Sequence, residues 1–113
     1  MAYLREEKES VEVDYPLNSI WEAIPKTVAT LNWKIEETNE PTHHFKIKTK
    51  GGFISYPSML KIVLSVIDEK TTRMDMSAET PVTTITALAD YGRTRERIEQ
   101  FVIALAKLMS GKT

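Results

Sequence analysis

The stretch SMLKIVLSVIDEKTTRMDMSAE, residues 58–79, carries two runs of alternating apolar and polar residues separated by a charged turn. Strict alternation is typical of half-buried β-strands, so the pattern predicts a hairpin with one apolar face. The predicted core-facing residues all have even numbers: Leu60, Ile62, Leu64 and Val66 in the first strand, and Met74, Met76 and Ala78 in the second.

Directly paired residues in a sheet point to the same side, so the numbers of paired residues in this hairpin must add to an even value. A plain two-residue turn at 69–70 would give odd sums and would turn Arg73 inward. We therefore predict a three-residue loop with a bulge. That register gives two pairs: Leu64 with Met76, and Lys61 with Glu79.

The same alternation predicts further strands at residues 10–15, 32–39 and 44–50, and residues 81–88 form a threonine-rich candidate for an edge strand. Residues 1–8 are charged and are predicted to be a solvated lead-in. A short helix is predicted after the first strand, because apolar residues recur there on one helical face: Ile20, Ile24, Val28 and Leu31.

Near the C-terminus, apolar residues keep a helical period that predicts one long helix: Ile98, Phe101, Val102, Leu105, Leu108 and Met109. The order of elements predicts an α+β fold (β-α-β-β-β-β-(β)-α) in a single domain, residues 1–113. In it, a curved antiparallel sheet of five or six strands carries one short N-terminal helix and one long C-terminal helix packed on it.

The composition is that of an ordinary globular protein of 113 residues with a formal net charge of -1. This balance argues against a general nucleic-acid binder, which would have a basic excess. The chain has no cysteine, so disulfides and thiolate chemistry are excluded. Because no signal peptide and no membrane-spanning apolar run are visible, we expect a cytoplasmic protein.

The opening VEVDYPLNSIWEAI, residues 11–24, resembles the start of the START-like (Bet v 1-like, helix-grip) superfamily. There a first strand leads through a proline-containing turn into a helix with an apolar-tryptophan pair, and the order of the later elements is also similar. The resemblance implies a helix-grip domain, shorter than the members with large ligand cavities. Some members are cyclases, hydrolases or isomerases, but no catalytic residue of theirs carries over to this chain.

The stretch DYGRTRERI, residues 90–98, is similar to an Asp-x-Gly-x-Asn-x-x-Arg-Ile signature that begins the last helix in an uncharacterised bacterial family. Thr94 stands where asparagine is usual, and both residue types can cap a helix N-terminus. Arg93, Arg95 and Arg97 have three interpretations: surface ion pairs, an anion site built with helix amides, or contacts with a partner or a second copy.

The segment GGFISYPSM, residues 51–59, concentrates aromatic and apolar residues beside two glycines. Phe53 and Tyr56 would either cover the open end of the core or form an apolar lip that controls access to a cavity or contacts a partner. The nearby methionines would either fill the core or contact a ligand, since methionine adapts to irregular spaces: Met59, Met74 and Met76.

A metal site has little support, because His43 and His44 are adjacent and would face opposite sides of a strand. Catalysis has little support either, because the sequence shows no glycine-rich phosphate loop, no nucleophile elbow and no histidine–carboxylate pair at a meaningful spacing. Our leading interpretation is a non-enzymatic domain, without cofactor or metal, that binds a small apolar or amphipathic ligand between the sheet and the last helix. The alternative is an interaction or self-association module with a filled core, and a START-like enzyme ranks third. The predicted ligand-binding residues are Phe53, Tyr56, Met59, Met74, Met76, Arg93 and Arg97, the two arginines meeting an anionic end.

Overall fold

A computed structural model gives the fold and describes residues 3–50, 58–82 and 93–110, with side chains described for 7–50, 58–79 and 96–110. It confirms the predicted α+β class, and the described residues form one antiparallel sheet and two helices. The elements in chain order are β1 (Tyr3–Val13), α1 (Leu17–Thr30), β2 (Lys34–Asn39), β3 (His44–Lys48), β4 (Met59–Asp68), β5 (Thr71–Val82) and α2 (Arg93–Met109).

The five strands lie in the order β1-β5-β4-β3-β2, and every neighbouring pair is antiparallel. The hairpin of β4 and β5 therefore occupies the middle of the sheet. This position explains its strong apolar alternation, since the inner face of a central strand is covered by core on all sides.

The register between β4 and β5 confirms that paired numbers add to an even value. On the inner face, Leu64 pairs with Met74, so the predicted pairing of Leu64 with Met76 is wrong by two residues. On the outer face, Lys61 pairs with Ser77. Glu79, the predicted partner of Lys61, is a diagonal neighbour whose carboxylate lies 4.0 Å from the Lys61 ammonium.

The hairpin turn has two residues, 69–70, and the predicted three-residue loop is wrong. A β-bulge at Ile67 supplies the extra residue instead, because the register shifts between Val66 and Asp68. The bulge leaves Arg73 on the exposed outer face, as the parity argument required. The Asp68 carboxylate also accepts a hydrogen bond of 2.8 Å from the Lys70 amide and so stabilises the tight turn.

The inner face of the sheet and the two helices enclose one hydrophobic core. Val66 was predicted to belong to it but is 65% exposed, because it lies next to the hairpin turn at the end of the covered surface. The buried apolar residues are Ile20, Ala23, Ile24, Val28, Phe45, Ile47, Leu60, Ile62, Leu64, Met74, Met76, Ala78, Ile98, Phe101 and Leu105.

The first strand begins at Tyr3, so the prediction of a solvated lead-in is wrong for residues 3–8, which pair with 77–82 of β5. The sequence did not predict this part of the strand because its alternation of apolar and polar residues is broken. Glu7 and Glu9 belong to the inner face, where apolar residues were expected. Both are half-buried at the edge of the sheet. Inward-pointing charges on an edge strand discourage pairing with another chain.

The N-termini of the described helices α1 and α2 lie at Leu17 and Arg93. Helix α1 starts directly after Pro16, with no capping side-chain hydrogen bond, and runs through Pro25. Helix α2 starts at Arg93, so Thr94, a candidate N-cap by residue type, lies within the first turn and not before it. No helix in the described ranges is long and apolar enough to cross a bilayer.

Candidate ligand-binding groove

A groove of about 390 Å³ lies between the sheet and the C-terminal half of α2. Val13 and Met74 line it from the sheet, and Ile20 lines it from the first turns of α1. From α2 the lining residues are Val102, Leu105, Ala106 and Met109. We call this hollow the apolar groove, because the polar residues among its described lining, Asp14 and Tyr15, both belong to the segment that follows β1.

The helical side of the apolar groove follows from the sequence period. Positions 102, 105, 106 and 109 follow the spacing of one helical face, so α2 presents a continuous apolar stripe there. Leu105 is buried against the core, whereas Ala106 is exposed at the rim. The stripe therefore packs against the core and also lines the groove. The small side chain of Ala106 leaves space open at the rim.

Tyr15 forms one wall of the apolar groove and links the sheet to α2. Its backbone carbonyl accepts a hydrogen bond of 2.8 Å from the hydroxyl of Thr72 in β5. Its side-chain hydroxyl donates a longer hydrogen bond of 3.4 Å to the carbonyl of Met109, the last residue of α2. These two contacts hold the exit of β1 against the end of the helix.

The interior beside the apolar groove is filled by side chains. The Trp21 ring packs on Phe45 with a centroid distance of 4.4 Å and meets the His43 ring edge-on at 5.6 Å. Leu60 and Ile62, at the middle of the sheet, are fully buried. The apolar groove therefore lies at the margin of this packed part of the core.

The structure separates the three methionines that sequence reasoning grouped together. Met74 lines the apolar groove, and Met76 is buried in the core beside Ile62. Met59 pairs with Lys48 and alternates with the inward Leu60, so it lies on the outer face of the sheet. Strand alternation thus removes Met59 from any site on the inner face.

Of the arginines and lip residues predicted to bind a ligand, Arg97 is the one whose side chain the structure describes, and it does not line the apolar groove. Arg97 is 8% exposed, and it lies on α2 one turn before Phe101. Its burial contradicts the interpretation that it makes only surface ion pairs. The side chain of Arg93 lies outside the described side chains, and the lip residues Phe53 and Tyr56 lie outside the described residues altogether.

Sequence reasoning missed Asp14 and Tyr15 as parts of a site. Both belong to the strand predicted at residues 10–15, in which alternation would put Asp14 on the outer face and Tyr15 at the end. Both instead follow the last residue of β1, Val13, and line the apolar groove. The available signal was Pro16, which ends the strand and turns the preceding residues toward the helices.

The two histidines have separate surroundings, as their adjacency predicted. His43 has a left-handed backbone with φ of 52° and packs against Trp21. His44 lies on the outer face, with its Nδ1 3.7 Å from the Glu37 carboxylate. Within the ranges described, no group of three or more metal-ligating side chains comes together.

Comparison with solved structures identifies the architecture. A norcoclaurine synthase point mutant from Thalictrum flavum, in complex with a transition-state analogue, superposes with a TM-score of 0.73 at 13% identity and covers 100% of this chain and 99% of its own. A conserved protein from Geobacillus kaustophilus gives a TM-score of 0.69 at 11% identity, covering 95% and 96%. Ara h 8.0201 gives 0.65 at 11% identity, covering 96% and 99%.

No protein-family profile and no curated protein matches the sequence itself. At identities this low, similarity to solved structures shows a common fold and not a common activity. The chain therefore has the Bet v 1-like helix-grip fold that its opening strand, proline turn and helix resembled.

Proposed function

We propose that this protein is a binding domain that holds a small apolar or amphipathic molecule in the apolar groove. The observation that carries the proposal is the groove itself: its volume of about 390 Å³ falls within the usual range for small-molecule sites, roughly 300–1,000 Å³. Its lining combines adaptable Met74 and Met109 with aliphatic residues of the core and of α2, and methionine accommodates ligands of varied shape.

The position of the groove supports the same reading. It lies between the sheet and the C-terminal helix, where the sequence analysis expected a ligand, although it is displaced to the margin of a filled core. The norcoclaurine synthase neighbour was solved with a transition-state analogue, so the fold is able to hold a small organic molecule. The ligand of that enzyme is not transferred to this chain.

A binding role accounts for the lining better than catalysis does. General acid–base chemistry needs a side chain that lies within hydrogen-bond reach of the transferred proton and has a pKa suited to the transfer. Among the described lining residues, Asp14 supplies the one carboxylate and is exposed, and Tyr15 supplies the one phenol. We therefore propose a non-catalytic function, with START-like enzymatic chemistry as the less supported reading.

The alternative is an interaction module, and the filled core favours it. Apolar residues also remain exposed on β4 outside the core: Val63, Val66 and Ile67. This reading predicts a particle larger than a monomer and no small molecule retained by the protein. Native mass spectrometry of gently purified protein separates the two readings, because it reports both the mass of the particle and any retained small molecule.

A steric variant tests the groove directly. Ala106→Trp places an indole at the exposed rim, whereas Gln100→Trp adds the same indole to an exposed position of α2 that does not line the groove. With dodecanol below its solubility limit as a neutral probe, we expect shifts of the Met74 and Met109 methyl NMR signals. Ala106→Trp should weaken binding at least about tenfold, and Gln100→Trp should leave it within about twofold. Wild-type methyl signals that do not move with dodecanol would contradict the proposal.

A further inference from the structure

A second hollow adjoins the apolar groove and has the opposite chemistry. It has a volume of about 570 Å³ and is lined by Asp14, Asp68, Glu69, Lys70 and Thr71. Three of these five residues carry carboxylates and one carries an ammonium group. We call it the acidic hollow. Asp14 lines both spaces, so the apolar groove and the acidic hollow meet at this residue.

The end of α2 adds negative potential at the same place. The helix ends at Met109, whose residue lines the apolar groove. The last carbonyl groups of a helix carry a partial negative charge equivalent to about half an electron. Lys107 lies in the same last turn, but it is exposed and is not among the residues that line either hollow.

Arg97, one of the two arginines predicted to meet an anionic end of a ligand, lies far from this junction. Arg97 precedes Met109 by twelve residues on α2, which corresponds to about 18 Å along the helix axis. Arg97 lines neither the apolar groove nor the acidic hollow. A carboxylate at the polar end of a ligand seated in the groove would therefore meet Asp14 and, beyond it, Asp68 and Glu69.

We propose that the polar end of the molecule held in the apolar groove is cationic: the ligand class is a hydrophobic amine or quaternary ammonium. The apolar body lies against Ile20, Met74 and Leu105, and the ammonium group lies beside the Asp14 carboxylate, facing the acidic hollow. This inference rests on the proposed function and names the ligand class for the same groove. It reverses the expectation, drawn from the arginines, that the polar end is anionic.

Three probes with the same twelve-carbon chain test the charge preference: dodecylammonium, dodecanol and dodecanoate, each below its micellar range, at pH 7 and low salt. Because Asp14 is exposed, water screens its attraction, and we expect dodecylammonium to bind about three- to tenfold more tightly than dodecanol. Dodecanoate should bind most weakly. In high salt the advantage of dodecylammonium should shrink, since exposed charges are then screened.

Two charge-neutralising variants show whether Asp14 is responsible for the preference for dodecylammonium. Asp14→Asn should reduce the advantage of dodecylammonium over dodecanol to less than about twofold, with the affinity for dodecanol unchanged. Glu36→Gln removes one negative charge from an exposed position of β2 that lines neither hollow, and it should retain the full preference.

The outcomes separate this inference from the proposed function. Dodecanol binding in the groove, with dodecanoate equal to or tighter than dodecylammonium, would overturn the cationic preference and leave the proposed function standing. A preference that survives Asp14→Asn would overturn the role of Asp14 at the junction. Methyl signals of Met74 and Met109 that respond to none of the three probes would overturn the proposed function itself, and the cationic inference with it.

Discussion

Two truncations on the same helix distinguish an open groove from closed core. Leu105 lines the apolar groove and is 3% exposed, whereas Ile98 is 1% exposed and does not line the groove. Leu105→Ala and Ile98→Ala each remove three carbon atoms from α2. If the groove exists as described, the two variants should lose different amounts of the free energy of unfolding.

The expected values follow from what each truncation leaves behind. Three buried carbon groups contribute about 2.4 kcal/mol of transfer free energy, at roughly 0.8 kcal/mol each. At Leu105 the space vacated by the truncation joins the groove that this residue lines, so no closed cavity forms and the loss should stay near about 2–3 kcal/mol. At Ile98 a closed cavity remains, which adds to the transfer term and brings the loss to about 3.5–4.5 kcal/mol. Alanine returns only a few tenths of a kcal/mol of helix propensity in either case.

Urea unfolding followed by tryptophan fluorescence and by far-ultraviolet circular dichroism measures both losses, provided that the two signals give one transition. We expect Ile98→Ala to be less stable than Leu105→Ala by about 1–2 kcal/mol. Equal losses, within about 0.5 kcal/mol, would refute the reasoning, because Leu105 would then border a closed core rather than a groove. The larger void of Leu105→Ala should also be detectable as altered affinity for dodecanol.

Two further predictions concern the contacts that hold the sheet in place. Thr72→Val keeps the shape of a fully buried side chain but removes the hydrogen bond to the Tyr15 carbonyl, and it should cost about 1–3 kcal/mol of unfolding free energy. Thr71→Val is the control and should change the free energy by less than about 0.5 kcal/mol, and equal losses in both would refute the role of the hydrogen bond. Deletion of Ile67, which is 45% exposed and forms the bulge, should cost less than about 1 kcal/mol, because the remaining pairs keep their register. Cross-strand nuclear Overhauser contacts between Leu64 and Met74 check this, and their loss in the deletion variant would contradict it.

The β4–β5 hairpin shows which structural features a local sequence pattern can predict. The alternation of Leu60, Ile62 and Leu64 identified the inner face correctly, because side chains of a strand alternate by backbone geometry alone. The even-sum rule was also correct. The position of the extra residue was not, since a loop residue and a bulge at Ile67 restore the parity equally well in sequence.

The candidate site was harder to predict from the sequence than the fold. The apolar stripe of α2, including Leu105 and Met109, was visible as a helical period, but nothing in the period separates residues that fill a core from residues that line a groove. Asp14 carried no signal of its own. Asp14 lines both hollows because the segment that follows β1 lies close to the end of α2 and to the β4–β5 turn, and that packing is a property of the tertiary structure.

The sequence by itself determined the order and type of the elements, the inner faces of β4 and β5, and the apolar stripe of α2, because these depend on short-range periodicities of the backbone. Only the tertiary structure decided that residues 3–8 pair with β5, that Arg97 is buried, and that Met59 faces away from Met74. Those features depend on which surfaces are covered when distant segments pack together. Burial of a side chain and pairing of strands that are distant in sequence depend on the packing of the whole chain, so a local periodicity cannot predict them.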